Sequence, residues 1–370
     1  MRIETSKGHT TLITGATGYV GGALAKKLLK TTDDDLILLV RSHPNETFEE
    51  RKKSLLNKLG SSYERRILIV DGHLEQDAPF KGVKASSVTR IIHAAATTAF
   101  NVERPKAKAI NVDGLRKVLD FARTCPSLER FYQISTIYSA GKSLGIVQED
   151  FVTRPDFANY YEWSKWEAEN LIRSEYSDLP WNILRVATIA ADDNTGAVTQ
   201  HNAIHNTLKL FYYGLISLAP GNSDCPVYLV TGDFTVKGIF SLLKKAPLHE
   251  VVNICHSKEE SVSLGDLLNI AYEGFLEDES FKKRGVKPLI LVSEKSFDLL
   301  VGGTSGFGSE VLKQALDSIS PFASQLYIDK DFSNKKIKEE MPDYVAPDPK
   351  VLAKNTVGEL LKTKFGRNAP

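Results

Sequence analysis

Two side chains near the middle of the chain, Tyr161 and Lys165, have types and a spacing that could move a proton. They fall in a segment with a helical pattern, and residues four apart lie on one face of a helix. Tyrosine has an ordinary pKa of about 10, and a nearby ammonium lowers it because it favours the phenolate. A Tyr-x-x-x-Lys pair is common by chance, so its interpretation as a proton-exchanging pair depends on what lies near it.

Hydroxyl groups that could join this pair follow an apolar run, 131–134, as Ser135 and Thr136. The run predicts a buried strand, and open α/β sheets bind ligands at the carboxyl ends of their parallel strands. Thr136 could then hydrogen-bond a substrate oxygen while Tyr161 exchanges a proton with it. The combination favours acid–base chemistry at a substrate oxygen.

A glycine-rich segment, 14–22, lies between a predicted strand and a predicted helix near the start of the chain. Its glycines let the backbone turn tightly and approach a pyrophosphate, which binds at the positive end of the helix. This strand–loop–helix context predicts a dinucleotide-binding loop and hydride exchange with a nicotinamide. The expected cofactor contacts in the loop are Gly15, Thr17, Gly18, Tyr19, Val20 and Gly21.

The residue that selects between NAD and NADP is expected about 20 residues further on, at the end of the second strand. An acidic residue there would hold a ribose hydroxyl, but this chain has Arg41, with Arg51 following it. A guanidinium can bind a 2′-phosphate through two hydrogen bonds, so we predict NADPH as the cofactor. The alternative is that Arg41 is a solvated residue at a strand end.

Small side chains follow the fourth predicted strand at Ala94, Ala95 and Ala96. They would let the backbone pass close beneath the cofactor, although close packing alone also explains them. The preceding His93 is predicted to be a packed or hydrogen-bonded residue rather than a catalytic base.

The elements that must position these residues alternate along the first half of the chain. Short apolar runs are separated by helical patterns, which is typical of βαβ units and of a parallel sheet covered on both faces. We therefore predict an α/β fold with a Rossmann-type doubly wound parallel sheet. The predicted strands are 11–13, 36–40, 67–70, 90–92, 131–134 and 183–187, and the predicted helices are 22–30, 48–59, 106–123 and 160–176.

After about residue 194 the alternation weakens. We predict that residues 1–195 form an NADP-binding Rossmann domain carrying the catalytic residues, and that residues 196–370 form a smaller, mostly helical substrate lobe. A second glycine-rich segment, 300–308, is interpreted as a turn and helix start, because no complete nucleotide-binding half follows it. The predicted helices of the lobe are 204–213, 264–273 and 310–318, and the apolar runs 227–230 and 251–254 could return to the main sheet.

Composition limits the partners. The 370 residues include 47 Lys+Arg and 46 Asp+Glu, a net charge of +1, whereas nucleic acids and anionic membranes need a basic excess. No run approaches the roughly 20 apolar residues that span a bilayer. The three cysteines lie far apart, and His201 with His205 lacks a third metal ligand. We predict a cytoplasmic protein with a small-molecule substrate, no nucleic-acid partner, no metal and no transmembrane segment, and the oligomeric state stays open.

Five segments, in order, match a known pattern: 14–21, 93–96, 111–114, 135–136, and Tyr161 with Ser164 and Lys165. In them the chain resembles the extended short-chain dehydrogenase/reductase superfamily. The resemblance implies that Thr136, Tyr161 and Lys165 are the catalytic triad, with Tyr161 and Lys165 also contacting the cofactor. It further implies that Asn111 helps to organise a proton relay.

Within the superfamily, four segments resemble thioester reductase domains and fatty acyl-CoA reductases: 39–41 with Arg51, 93–100, 192–196 and 232–236. This closer resemblance implies NADPH-dependent reduction of an acyl thioester, bound to CoA or to a carrier protein, to an aldehyde or onward to an alcohol. Thr136 and Tyr161 would polarise the thioester carbonyl.

Two positions depart from the family pattern. Val186 stands where a proline usually follows the arginine after the sixth strand, and His73 stands where an aspartate often contacts adenine, with Asp71 just before the glycine. Asp71, His73 and Val186 are the expected cofactor contacts at these places.

Two other functions stay open. An enzyme of the same superfamily could act as a dehydrogenase or epimerase on a sugar nucleotide or a sterol. A protein of this fold could also bind NADP(H) as a sensor or scaffold without catalysis. The complete set of Thr136, Tyr161 and Lys165 argues against the sensor, because a site without catalysis has no need of all three.

Overall fold

A seven-stranded parallel sheet is the centre of the computed structural model, which describes residues 8–43, 45–245, 247–303 and 319–366. In chain order, the strands of these residues are β1 (Thr10–Thr14), β2 (Asp35–Val40), β3 (Ile67–Asp71), β4 (Arg90–His93), β5 (Arg130–Thr136), β6 (Gly145–Val147), β7 (Trp181–Val186), β8 (Thr188–Ala191), β9 (Leu218–Pro220), β10 (Pro226–Val227), β11 (Leu229–Thr231), β12 (Glu250–Ile254), β13 (Val262–Ser263), β14 (Ile290–Val292) and β15 (Lys330–Phe332). The main sheet has the order β12-β7-β5-β4-β1-β2-β3, and its neighbours are parallel. Strands β2 and β3 lie on one side of β1, and β4, β5, β7 and β12 lie on the other side. In such a sheet the ligand crevice opens where the strand order reverses, which is between β1 and β4.

The helices of the described residues are α1 (Tyr19–Thr31), α2 (Phe48–Leu59), α3 (Arg104–Ala107), α4 (Gly114–Arg123), α5 (Tyr160–Glu175), α6 (Ala203–Tyr212), α7 (Gly232–Lys245), α8 (Leu264–Phe275), α9 (Glu279–Arg284), α10 (Glu294–Gly303), α11 (Lys335–Glu340) and α12 (Pro349–Lys362). A π-helical turn, Lys108–Asp113, separates α3 from α4, so the single helix predicted over 106–123 is interrupted. The helix predicted at 310–318 and the part of the second glycine-rich segment beyond Gly303 lie outside the described residues.

Alternate residues of the central strands enter two separate hydrophobic cores. Ile13 of β1 packs with residues of α1 and α7 on one face, whereas Leu12 packs with residues of α4 and α5 on the other. Both side chains are fully buried. Strands buried on both faces need nearly continuous apolar sequences, which explains the short apolar runs of the first half. The predicted doubly wound α/β sheet is confirmed.

The second half of the chain contributes to this sheet and also builds a smaller helical core. The run at 251–254 does return to the sheet, as β12 beside β7, but the run at 227–230 does not: β11 pairs with β8 and β10 pairs with β13. A separate core includes the fully buried Phe211, Phe275 and Phe281 of α6, α8 and α9. The division at residue 195 stays a prediction. Across the described ranges, no helix is long and apolar enough to cross a membrane.

Candidate active site

The glycine loop between β1 and α1 folds so tightly that Gly15 and Gly21 have no room for a side chain. Gly15 has a φ of 77°, which favours glycine, and a Cβ there would lie 2.6 Å from the Ala95 backbone nitrogen. A Cβ on Gly21 would collide with the Gly15 carbonyl oxygen. Gly18 caps α1 without a side-chain hydrogen bond, and Val20, in the first helical turn, packs against the core. The loop thus fits a pyrophosphate at the helix N-terminus.

The chain passes beneath this loop at the end of β4. The Ala94 N–H donates to the Thr14 carbonyl oxygen at 3.1 Å, and the Ala95 N–H donates to the Thr14 hydroxyl at 3.3 Å. The same hydroxyl lies 2.7 Å from His93 Nδ1. Burial lowers the pKa of His93 to about 3, so its ring is neutral. His93 is therefore a buried, hydrogen-bonded residue, as predicted, and Ala94 to Ala96 leave the floor of the crevice without large side chains.

Of the two predicted phosphate ligands, Arg51 lies at the glycine loop. Its Nη2 donates to Thr17 Oγ1 at 3.1 Å, and its Nη1 lies 3.6 Å from Glu46 Oε2. Its buried Nε has no hydrogen-bond partner within the described part of the chain, which leaves a donor for a ligand. A cavity of about 700 Å³ adjoins it, lined in part by Thr17, Gly18 and Tyr19.

Arg41 follows the last residue of β2, on a different element from Arg51 of α2. Its Nη1 is 3.1 Å from Nε2 of His73, in the loop after β3. Asp71, the last residue of β3, is exposed. Arg41 therefore contacts the loop after β3, whereas Arg51 contacts the glycine loop.

Tyr19 joins the glycine loop to the second half of the chain. Its hydroxyl donates to Asp192 Oδ1 at 2.6 Å, and the Asp233 N–H donates to the Asp192 carbonyl oxygen at 2.9 Å. A Cβ on Gly232 would collide with the Tyr19 hydroxyl. Burial, followed by the hydrogen bond to Asp192, raises the pKa of Tyr19 above its usual value. The segments 192–196 and 232–236 thus meet at this tyrosine.

The predicted triad lies together where β5 meets α5. Thr136 is the last residue of β5, Tyr161 and Lys165 lie in the first two turns of α5, and all three are buried. Thr136 Oγ1 accepts from the Tyr138 N–H at 3.3 Å, and Lys165 Nζ donates to the Ile134 carbonyl oxygen at 2.7 Å. Val186 pairs with Thr136 across β5 and β7. The structure thus brings the triad together, with Val186 beside it.

Burial controls the protonation of this site. It raises the pKa of Tyr161 to about 12, although the nearby Thr136 side chain acts to lower it. It lowers the pKa of Lys165 to about 8, against the effect of the Glu169 carboxylate. The expectation that Lys165 lowers the pKa of Tyr161 is wrong for this arrangement, because desolvation of the phenol dominates and the ammonium bonds to Ile134. Tyr161 is therefore protonated at neutral pH and can donate a proton.

Asn111 lies in the π-helical turn and ties the loop after β4 to α5. Its Oδ1 accepts from the Thr97 N–H at 2.8 Å, and its Nδ2 donates to the Thr97 carbonyl oxygen at 3.0 Å and to Ser164 Oγ at 2.8 Å. Ser164 Oγ in turn donates to the Tyr161 carbonyl oxygen at 2.8 Å. These bonds position the first turns of α5, and a role of Asn111 in a proton relay stays a prediction.

A buried ion pair beneath the triad was missed from the sequence. Arg185 of β7 donates to Glu169 of α5, with Nη2 2.6 Å from Oε2. Ser135 Oγ, next to Thr136, donates to Glu169 Oε1 at 2.5 Å. These bonds fix α5 against β5 and β7 at the level of Lys165. The available signals were an arginine within an apolar strand run and a glutamate four residues after Lys165.

An aromatic wall lies beside Tyr161. Phe100, in the loop after β4, has its ring centroid 5.6 Å from that of Tyr161. The Phe322 ring, from the second half of the chain, stacks on Phe100 at 5.1 Å and meets the edge of Tyr138 at 5.2 Å. Val102 packs in the same cluster as Tyr161. Sequence reasoning missed Phe322, because nothing near it in the chain shows that it reaches this site.

The predicted absence of a metal can be compared with the side chains present. In the ranges that the structure describes, no three His, Cys, Asp or Glu side chains gather into a metal site. His205 is buried, with Nε2 2.8 Å from the Ala190 carbonyl oxygen.

The doubly wound sheet and the glycine loop are those of the extended short-chain dehydrogenase/reductase class, and within them the fold brings Thr136, Tyr161 and Lys165 together. The chain belongs to the male sterility protein family, whose sequence pattern matches residues 13–239. The resemblance to thioester and fatty acyl-CoA reductases is thereby confirmed.

Individual relatives are partial matches. Fatty acyl-CoA reductase 2, chloroplastic, of Arabidopsis thaliana is 32% identical over 164 residues, which are 39% of this chain and 27% of the plant protein. A linear gramicidin synthase protein of Brevibacillus parabrevis is 28% identical over 262 residues, which are 65% of this chain and 5% of that synthase protein. The chain thus spans only a fraction of the length of these relatives.

Two solved structures show the same fold. The terminal R domain from the myxalamid PKS-NRPS biosynthetic pathway superposes with a TM-score of 0.76 and 21% identity, covering 98% of this chain and 92% of that domain. The reductase (R) domain of a nonribosomal peptide synthetase from Mycobacterium tuberculosis superposes with a TM-score of 0.68 and 18% identity, covering 96% of this chain and 92% of that domain. At these identities the likeness concerns the fold.

Proposed function

We propose that this protein is an NADPH-dependent reductase that delivers hydride to the carbonyl carbon of an acyl thioester, or of the aldehyde derived from it. The observation that carries the proposal is the aromatic, apolar wall beside Tyr161, in which Phe100 contacts the Tyr161 ring and Phe322 stacks on Phe100. A sugar would need hydrogen-bonding partners there, because each buried polar group left without one costs about 1–3 kcal/mol. An acyl chain needs none.

Thr136 and Tyr161 would donate hydrogen bonds to the carbonyl oxygen and stabilise its negative charge as hydride arrives. One such donor typically contributes about 10²–10³-fold in rate. Tyr161, protonated because burial raises its pKa to about 12, then passes its proton to that oxygen, which gives a hemithioacetal. The C–S bond of the hemithioacetal then breaks, the hydroxyl proton goes to the sulfur, and the aldehyde and the carrier thiol are released. Lys165, charged below about pH 8, stabilises the negative charge that Tyr161 acquires.

The cofactor would lie in the crevice at the glycine loop, and NADPH supplies the hydride when it is bound. The tight turn at Gly15 and Gly21 would bring backbone N–H groups at the start of α1 to its pyrophosphate. Arg51, with a free Nε donor, would bind the 2′-phosphate together with Arg41. The remaining proposed contacts are Thr17, Tyr19, Val20, Asp71, His73, Ala94, Ala95, Ala96, Tyr161, Lys165 and Val186.

The names of the relatives support a thioester substrate. The plant relative is named for fatty acyl-CoA, and the two solved domains come from a PKS-NRPS pathway and from a nonribosomal peptide synthetase. These names favour neither CoA nor a carrier protein as the acyl carrier. We further propose that residues 1–195 bind the cofactor and residues 196–370 hold the acyl group.

A substrate panel tests the proposal. The protein is incubated with NADPH or NADH and with acyl-CoAs, acyl-carrier thioesters, aldehydes, sugar nucleotides and sterols, and products are identified by mass spectrometry. We expect NADPH-dependent formation of aldehyde or alcohol from a thioester. Turnover of sugar nucleotides or sterols alone would establish the alternative enzyme class, and tight NADPH binding without any turnover would establish a sensor.

A further inference from the structure

A short segment from the second half of the chain, residues 321–330, lies across the start of the catalytic helix. It contains a 3₁₀ turn, Ser324–Tyr327, and leads into β15, which pairs with β6. The segment carries Phe322, the outermost ring of the aromatic wall. We call it the strap.

The strap is tied to α5 on both sides of Phe322. On one side, Asn159, the N-cap of α5, donates from Nδ2 to the Pro321 carbonyl oxygen at 2.9 Å. On the other side, Gln325 Nε2 donates to Glu162 Oε2 at 2.9 Å. Glu162 directly follows Tyr161, so the position of the Phe322 ring is fixed by the same helical turn that carries the proposed acid.

The second tie is a buried polar cluster. Lys330 Nζ donates to Gln325 Oε1 at 2.6 Å and also to the Gly141 carbonyl oxygen, to which Gln325 Nε2 donates at 3.1 Å. Glu162 is fully buried, and Gln325 and Lys330 are only 5% and 4% exposed. Breaking one bond of such a cluster leaves a charged or polar group unpaired in a low-dielectric interior, which is costly. The strap is therefore held rigidly rather than as a mobile cover.

The Phe322 ring belongs to a packed aromatic cluster next to Tyr161. Phe322 contacts both Phe100 and Tyr138, and Phe100 in turn contacts Tyr138 and Tyr161. A group that branches close to the reacting carbonyl would have to displace rings of this cluster.

We propose that Phe322 is a specificity-determining residue that admits linear acyl groups and excludes those branched or cyclic next to the carbonyl, and that Gln325 is the positioning residue that holds it. This inference rests on the proposed thioester reduction. It assigns the selectivity of the site to a residue some 160 positions away from Tyr161 in the chain.

The proposal is tested by measuring the reduction of two CoA thioesters, hexanoyl-CoA and cyclohexanecarbonyl-CoA, by the parent protein, by Phe322→Ala and by the milder variant Phe322→Leu. The ratio of kcat/KM for the cyclic over the linear substrate should rise at least tenfold in Phe322→Ala, because one methylene in an apolar pocket is worth roughly 10–200-fold. Gln325→Met should raise the ratio by a smaller factor without changing the KM for NADPH. The control is Phe121→Ala, a partly buried ring on α4 that stacks on Phe80 in the other core of the sheet and should leave the ratio unchanged.

A binding measurement separates the two proposals. The affinity of each CoA thioester for the protein saturated with NADP⁺, which cannot donate hydride, should shift in the same direction as the kinetic ratio. If the parent protein reduces thioesters but neither ratio changes in the Phe322 variants, only the role of Phe322 is overturned. If the parent neither binds nor reduces a thioester, the proposed function is overturned and the role of Phe322 falls with it.

Discussion

The cofactor end and the acyl end of the crevice are built in different ways. At the cofactor end, the packing is set by contacts between backbone atoms: Gly15 packs against Ala95, and Gly21 packs against Gly15. At the acyl end, the packing is set by side chains from distant parts of the chain, such as Gln325 and Glu162, which are hydrogen-bonded and lie 163 positions apart. The cofactor end presents arginine side chains and the N-terminus of a helix, whereas the acyl end presents aromatic rings beside the buried Tyr161.

This difference indicates that the residues of the cofactor end are constrained by the class of protein, whereas the residues of the acyl end can vary. A pyrophosphate needs close approach to the backbone, and only a glycine pattern allows it. An acyl group needs only apolar surface, which many side chains supply. We therefore expect substitutions at the cofactor end to leave turnover at saturating cofactor unchanged, and substitutions at the acyl end to leave cofactor binding unchanged. Mutations at each end test this independence.

The largest effect is expected from Tyr161→Phe, which removes the proposed proton donor and keeps the ring. Turnover should fall by about 10²–10⁴-fold, the usual contribution of a general acid. Binding of NADPH, measured by fluorescence titration, should change less than threefold. The control is Tyr160→Phe, because this neighbouring side chain is 49% exposed. Retained turnover in Tyr161→Phe would remove this residue as the acid.

Arg51→Ala tests the cofactor end. We expect the affinity for NADPH to fall roughly 10- to 100-fold, because a hydrogen bond to a charged group contributes about 1.5–3 kcal/mol. The affinity for NADH should hardly change, and kcat at saturating NADPH should be retained. Arg41→Ala should erase the remaining preference for NADPH.

The exposed Lys53 on the same helix gives the matched control, Lys53→Ala. Equal affinities of the parent protein for NADPH and NADH would overturn the assignment of both arginines to a 2′-phosphate. A loss of kcat in Arg51→Ala would contradict the independence of the two ends.

Much of the cofactor end could be predicted from the sequence, because its requirements are local. The glycine loop lies between one strand and the next helix, and the spacing of Tyr161 and Lys165 places them on one helical face. The parallel sheet followed from the alternation of apolar runs and helical patterns. The fold and the proximity of Thr136 to Tyr161 could therefore be predicted from the sequence.

The acyl end could not be predicted, because its contacts are set by tertiary packing. Nothing near Phe322 in the sequence indicates that it lies on Phe100, and nothing near Lys330 indicates that it approaches Glu162. The π-helical turn at Lys108–Asp113 also has no glycine or proline to mark it. The protonation of Tyr161 was predicted wrongly for a related reason, since burial depends on the whole fold.

Gly21→Ala tests how tightly the glycine loop at the cofactor end is packed in the folded protein. The new Cβ would collide with the Gly15 carbonyl oxygen, and overpacking of this kind typically costs about 1–3 kcal/mol. Gly358→Ala on α12 is the matched control, because nothing lies within 4 Å of its added Cβ. That change should stabilise the protein by about 0.5–1 kcal/mol. Chemical denaturation measures both, and a Gly21→Ala protein as stable as the parent would contradict the tight loop.

The smallest effect is expected from pH, and it tests the acyl end. Burial lowers the pKa of Lys165 to about 8, so its ammonium is present below that pH and is lost as the pH rises through it. Tyr161, whose pKa is raised to about 12, stays protonated over the same range. At saturating NADPH, kcat for thioester reduction should therefore fall above about pH 8, by about tenfold one pH unit higher. Lys165→Arg should abolish this decline, because a guanidinium stays charged. A decline that persists in Lys165→Arg would instead point to another group, such as Glu162, whose pKa is raised by burial.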